Sequence, residues 1–153
     1  GLSTYETNER RTVERSTSSH NTVEVNATNQ SEVWGGFRVA NRAYVIDVVE
    51  DIDRIKATHD GYKNKFDILH TREWILEDDK IIIKDSLNKK CEAIGRLHFH
   101  PDVTENEILK RINTKNLNFN IKNYNYAKEF NQLEVAFVLE IPFNKNIILE
   151  IKI

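Results

Sequence analysis

From Asn21 onward the chain alternates apolar and polar positions with a period of two. Val23 and Val25 alternate with Thr22 and Glu24, and Ile55, Ala57 and His59 alternate with Arg54, Lys56, Thr58 and Asp60. Phe66, Ile68, His70, Arg72 and Trp74 share one face of the next run, and Ile81, Ile83 and Asp85 follow. Ala93, Gly95, Leu97 and Phe99 oppose Ile94, Arg96, His98 and His100. Leu117, Phe119 and Ile121 alternate with asparagines, and Leu133, Val135, Phe137, Leu139 and Ile141 oppose Glu134, Ala136, Val138 and Glu140. The last run is Ile147, Leu149, Ile151 and Ile153. Such alternation places one face of each strand on a core and the other toward solvent. Turn signals separate the runs at Asp60-Gly61, Asp78-Asp79, Asn88-Lys89-Lys90 and Asn144-Lys145-Asn146.

Strands following one another at a spacing of roughly 8–12 residues predict an all-β protein, an antiparallel β-sandwich with mostly meander connections. One short helix is expected over Glu105–Ile112, where Ile108 and Ile112 are four apart. The Asn-rich stretch Asn113–Asn131 is weakly patterned and reads as a meander with loops. Residues 1–19, rich in Ser, Thr, Glu and Arg without apolar period, read as a polar arm or loop, with the β-sandwich domain over residues 20–153. This ragged opening, on Gly1 rather than Met, is expected to be a cut through a larger protein, and the final strand to be a natural C-terminus.

Composition narrows the function classes. Apolar residues make up 39% and charged residues 30%, which is polar but sufficient for one packed core. A net charge of −2 gives no broad basic field for nucleic acid or an anionic membrane, although a local cationic cleft is compatible with it. Cys91 is the single cysteine, which excludes an internal disulfide and a multi-cysteine metal site. No apolar run approaches the roughly 18 residues of a membrane span.

Nucleophile-elbow, phosphate-loop, dinucleotide and H-E-x-x-H motifs are absent from the sequence. Gly35-Gly36, beside Trp34 and Phe37, reads as a bulge or a close backbone approach. His98 and His100 project from one strand face and could hold zinc if a third ligand joined them. Arg96 on that face disfavours a cation, so a hydrogen-bonded polar face is the plainer reading. His59 and Asp60 point to opposite faces, which argues against a direct relay between them. His70, among Phe66, Ile68 and Trp74, reads as a satisfied core histidine. Arg38, Arg42, Arg72 and Arg96 could hold carboxylates or sulfates bidentately, or could be salt-bridged or solvated. His20, at the junction of the polar segment and the first strand, reads on its own as an exposed or capping residue.

Several blocks resemble, in order, a heparinase II/III signature. They are His20-Asn21-Thr22-Val23-Glu24-Val25, Asn29-Gln30-Ser31-Glu32-Val33-Trp34-Gly35 with Phe37-Arg38-Val39, Ala57-Thr58-His59-Asp60-Gly61-Tyr62, His70-Thr71-Arg72-Glu73-Trp74, and Leu97-His98-Phe99-His100-Pro101-Asp102-Val103. The resemblance implies the C-terminal, supersandwich-like β-sandwich portion of a bacterial polysaccharide lyase. Members pair such a sandwich with an N-terminal α/α toroid and cleave uronic-acid-containing polysaccharide by β-elimination. The resemblance also implies an acidic polysaccharide as partner, the toroid domain of the same protein as second partner, and a periplasmic or secreted location.

On that resemblance His20 matches the last of the family's zinc ligands, the others lying upstream of this chain. Zinc is therefore expected only in the full-length protein, with no catalytic residue in this portion. Arg38, His59 and His70 are the candidates for the substrate cleft. Two other function classes stay open, a stand-alone carbohydrate-binding module and a structural β-sandwich. Exposed aromatics on one sheet face would favour the former. Tyr124 and Tyr126 are weak candidates for that role, with Trp34 and Trp74 expected in the core.

Overall fold

The computed structural model describes residues 1–115 and 117–153. Asn116, within the stretch expected as a meander with loops, lies outside the described residues. The alternating runs form β1 (Val23–Val25), β2 (Glu32–Val33), β3 (Val39–Ala40), β4 (Val45–Glu50), β5 (Arg54–Tyr62), β6 (Ile68–Leu76) and β7 (Lys80–Leu87). They continue as β8 (Ala93–His98), β9 (Asn120–Glu129), β10 (Gln132–Phe143) and β11 (Asn146–Lys152). A four-stranded sheet has the order β1-β8-β10-β9, a five-stranded sheet the order β11-β7-β6-β5-β4, and β2 pairs with β3 in a separate hairpin. The strand pairings are antiparallel. β4 to β7 run as the expected meander. The chain changes sheet between β7 and β8 and again between β10 and β11. These two corners are tied together by Cys91 N–H to Asn144 O at 2.9 Å and Leu87 N–H to Lys145 O at 2.8 Å.

Inward faces of the two sheets make the core. Ile83, Ile147 and Leu149 of the five-stranded sheet pack with Leu139 and Ile141 of the other. Each such side chain contributes about 1.5–3 kcal/mol by leaving water. The expected helix is α3 (Glu105–Arg111), which adds Ile108 and, just past its end, Ile112 to this cluster. Thr104 and Glu107 start it with a reciprocal capping box. A second cluster joins Val23, Val25, Tyr62, Ile68, Leu87 and Ala93, and the Tyr62 hydroxyl donates to Val23 O at 2.7 Å. The four-residue α2 (Lys63–Phe66) sits between β5 and β6.

Residues 1–19 are held against the domain by polar contacts. They form α1 (Glu9–Glu14), capped by Asn8, and one 3₁₀ turn (Thr17–Ser19). Ser3, Thr4, Arg11 and Thr17 are buried. Thr17 accepts from Gln30 N–H at 2.9 Å through its hydroxyl and donates its own N–H to Asn29 Oδ1 at 2.7 Å. Asn131 N–H donates to Ser3 O at 2.6 Å. Hydrogen bonds of this kind leave no apolar period in the sequence.

The two tryptophans correct an expectation. Trp34 is 45% exposed and Trp74 38% exposed, so neither is a core residue. Trp34 sits at the β2–β3 hairpin, apart from both clusters. Trp74 lies in the row Ile55–Trp74–Ile83–Leu149 across four strands. Exposure climbs along it from 8% at Ile83 to 38% at Trp74 and 45% at Ile55. The five-stranded sheet therefore extends beyond its cover, leaving apolar residues of β4 and β5 in water.

Candidate functional site

Four of the motif blocks converge through hydrogen bonds. His59 on β5 and His70 on β6 are cross-strand partners, with Nε2 of His59 2.9 Å from Nδ1 of His70. Gly61 N–H donates to His59 Nδ1 at 3.1 Å, so that nitrogen is an acceptor. The His59 proton therefore sits on Nε2 and is given to His70 Nδ1. His70 in turn donates from Nε2 to Asp85 Oδ1 at 2.7 Å. Arg72, one inward position along β6, clamps Asp85 with Nε to Oδ1 at 2.7 Å and Nη2 to Oδ2 at 2.9 Å. Its remaining arm donates from Nη1 to Asn21 O at 2.6 Å. The result is a continuous line His59–His70–Asp85–Arg72–Asn21 between the sheets.

The interior sets the charges along this line. Burial pushes the His59 imidazole down to about 4, helped by repulsion from His70 and Arg72 and opposed by Asp60. Burial alone would raise the Asp85 carboxyl, but hydrogen bonds from His70 and Arg72 outweigh it and hold the group below its ordinary value. His70, Arg72 and Asp85 are 2%, 8% and 5% exposed. Both nitrogens of both rings are used within the chain. The line joins strands across the interior and leaves neither ring a free nitrogen in this arrangement.

Asn21 is the bridge to an open groove. Its Oδ1 accepts from His98 N–H at 2.7 Å. The groove, about 1110 Å³, lies between the 1–21 segment and the outer face of the four-stranded sheet. His20, His98, His100, Tyr124 and Tyr126 line it. His98 meets Tyr124 edge-on at 4.7 Å, and His100 meets Tyr126 at 5.2 Å. Burial, then Arg96 and His20, push His98 down to about 4. His20 is lowered by burial and then by the amino-terminal charge. The cations of the groove wall are matched, since Arg96 and Lys122 both pair with Glu140.

The structure thus sorts the candidates into three places. His59 and His70 are together in the interior line, His20 is in the groove with His98 and His100, and Arg38 is exposed at the β2–β3 hairpin. Arg72 and Arg96 are engaged with carboxylates of this chain. Arg42 borders a small polar hollow with Asp60, whose carboxylate accepts Tyr44 N–H at 2.8 Å. No group of three metal-ligating side chains occurs among the described residues, so these residues do not fit a complete zinc site. Asp85 escaped the sequence reading as a site residue. The available signal was an acid at an inward position of an Ile-rich strand, which requires a buried partner.

Comparison with known proteins places this geometry. Residues 1–140 match the family described as heparinase II/III-like, C-terminal. The fold is similar to heparan sulfate lyase HepC from Pedobacter heparinus, at 12% identity and a TM-score of 0.66, covering 98% of this chain and 26% of that one. It is also similar to a heparinase III gene product, at 14% identity and a TM-score of 0.65, covering 95% of this chain and 25% of that one. This chain therefore spans about a quarter of the solved proteins it resembles. No curated protein sequence matches it. With the family match running from residue 1 to residue 140, the chain belongs to the heparinase II/III-like family, as its C-terminal β-sandwich portion.

Proposed function

We propose that this chain is the non-catalytic β-sandwich of a polysaccharide lyase that cleaves uronic-acid-containing polysaccharide by β-elimination. The observation that carries the reading is the family match over residues 1–140 in a chain only a quarter as long as its solved relatives. β-Elimination needs a base for the C5 proton, a group that neutralises the uronate, and an acid for the leaving oxygen. His59 and His70 are occupied with each other and with Asp85, so the base is assigned to the remainder of the longer protein. The apolar shelf of Val48, Ile55 and Trp74 is the kind of surface on which a second domain, the α/α toroid, would dock. Among the cleft candidates, Arg38 has the exposed guanidinium that could meet an acidic sugar.

The test is ultraviolet absorbance of unsaturated uronide. The longer protein should produce it from an acidic polysaccharide, and this chain alone should not. Turnover by the chain alone would refute the assignment. His20 is the residue that this chain would offer a zinc ion in the longer protein. Equal zinc content in the longer protein and its His20→Ala variant would remove that role.

A further inference from the structure

The geometry points to a platform for an acidic glycan built from Tyr5, Phe37 and Phe130, with Arg11 and Arg15 holding the Phe37 turn from within and the cleft candidate Arg38 exposed beside Phe37. Three separate segments supply the rings: the N-terminal segment, the β2–β3 turn and the β9–β10 turn. The Tyr5 centroid is 6.3 Å from Phe37 and 5.7 Å from Phe130. All three rings are open to solvent, at 65% for Tyr5, 77% for Phe37 and 57% for Phe130. Aromatic residues so exposed and so close together are not core. They form a contiguous apolar surface of the kind that marks an interaction site.

The rings are fixed from beneath. The Arg11 guanidinium lies 4.7 Å from the Phe37 centroid and 5.7 Å from that of Tyr5, while Arg11 itself is 3% exposed. Cation–π contact holds the Tyr5 and Phe37 rings, which stay open to solvent elsewhere. Arg10 Nη2 donates to Asn131 Oδ1 at 3.2 Å, and Asn131 N–H donates to Ser3 O at 2.6 Å. These bonds clip the turn that carries Phe130 to the segment that carries Tyr5. The platform is therefore held in place before any ligand arrives.

Charge selects the ligand. The arginines paired with carboxylates among the described residues are Arg10, Arg54, Arg72 and Arg96. Arg11 and Arg15 instead donate to backbone carbonyls, Arg11 to Gly36 O at 2.8 Å and Arg15 to Trp34 O and Gly36 O at 2.9 Å each. The buried Nε of Arg11 has no partner. Arg38, next to Phe37, is exposed and has no carboxylate within 4.0 Å among the described residues. A chain of net charge −2 thus sets three arginines without carboxylate partners among the described residues at the turn that carries Phe37, with Arg11 and Arg15 bonded to its carbonyls and Arg38 exposed. Pyranose rings present C–H faces that stack on aromatic faces, and a uronate or sulfate group pairs with an exposed guanidinium such as that of Arg38. The choice of an acidic glycan over other polyanions rests on the lyase reading above.

Affinity electrophoresis tests the site without requiring turnover. The chain is run through gels containing alginate, heparan sulfate or neutral dextran. Retardation by at least one acidic polymer and none by dextran is expected. Phe37→Ala with Phe130→Ala should weaken retention about tenfold per ring removed, with an unchanged melting transition. Arg38→Gln, at an exposed position, gives a second variant that does not depend on the rings and should also weaken retention. Tyr126→Ala, in the other groove, should not. Retention unchanged in both the ring and Arg38 variants overturns the proposal, as does the absence of retention by either acidic polymer. Tighter binding to single-stranded DNA, or a ring-dependent dimer with no glycan retention, also overturns it. Uronide production by the longer protein is a separate readout. Retention without uronide refutes the lyase reading and spares the platform, whereas uronide without retention does the reverse.

Discussion

His59 and His70 are joined ring to ring, Nε2 to Nδ1, at 2.9 Å. The contact requires a neutral His59, because a proton added at its Nδ1 would face the Gly61 N–H. The line through Asp85 and Arg72 to Asn21 therefore depends on the protonation of its outermost member.

Acid should loosen the fold in a defined window. His59 and His98 are each held down to about 4, against an ordinary histidine value of about 6.5. Between those values the unfolded chain binds more protons than the folded one, so stability rises with pH across the window and is lost as pH falls through it. Asp85, held below its ordinary value, adds stability above the unfolded carboxyl value that disappears at still lower pH. Urea midpoints should be flat above neutrality and should decline steadily from about pH 6.5 toward 4. His59→Gln and His98→Gln should each make the decline shallower. Midpoints that climb on acidification would contradict the assignment of neutral His59 and His98 rings.

Breaking the carboxylate link should cost more than replacing it. Asp85→Asn leaves the Arg72 guanidinium, 8% exposed, without its counter-charge between the sheets. Removing one partner of a buried pair costs about 3–5 kcal/mol. The double variant Asp85→Leu with Arg72→Leu should lose less than Asp85→Asn, because no charge is then stranded. Equilibrium unfolding in urea measures both. A double variant worse than the single one would show that the hydrogen bond to Asn21 matters more than the ion pair.

Gly61 should be the least replaceable glycine. A Cβ there would lie 2.8 Å from Ala43 Cβ and 2.9 Å from both Gln30 Cβ and Gln30 O. One of those contacts is backbone, so the Gln30 segment must move, at a cost of about 1–3 kcal/mol. Gly36 is different, since nothing lies within 4 Å of its Cβ position but its φ of +70° is left-handed. Gly36→Ala should cost about 1–2 kcal/mol from backbone conformation alone. Thermal melts of the two variants rank them, and a Gly61→Ala protein as stable as the parent would mean the Gln30 segment is mobile.

Much of the fold was legible because strand alternation is a local property of the chain. The positions from Ile68 to Trp74 read as one face, and Ile68, His70 and Arg72 are the buried ones. Reading Trp74 required knowing how far the facing sheet extends, which no single strand encodes. The interior line was half legible. His70 could be recognised as a core histidine, but its partners come from β5 and β7, and only the register joins them. The aromatic platform left no sequence signal at all, since Tyr5, Phe37 and Phe130 belong to three loops far apart in the chain. The N-terminal segment was opaque for a related reason. Its buried residues are Ser3, Thr4, Arg11 and Thr17, which are polar and held by hydrogen bonds.

The helix α3 offers a test of how a helical segment supports the sandwich. Thr104 accepts from Glu107 N–H at 3.3 Å, and Glu107 Oε2 accepts from Thr104 N–H at 2.8 Å. Both groups lie in solvent, so Thr104→Ala should cost only about 1 kcal/mol. Ile108 sits at the other extreme, 2% exposed between the sheets among Ile83, Leu139 and Leu149. Ile108→Ala removes buried volume and should cost about 2–5 kcal/mol. Ile112, bridged to Ile151 on β11, fixes the end of the helix to the five-stranded sheet, so the loss at Ile108 should be felt globally. Hydrogen exchange checks this: Ile108→Ala should speed exchange at β10 and β11 amides, and Thr104→Ala only at the helix start. Faster exchange confined to α3 in both variants would show that the helix opens independently of the sandwich.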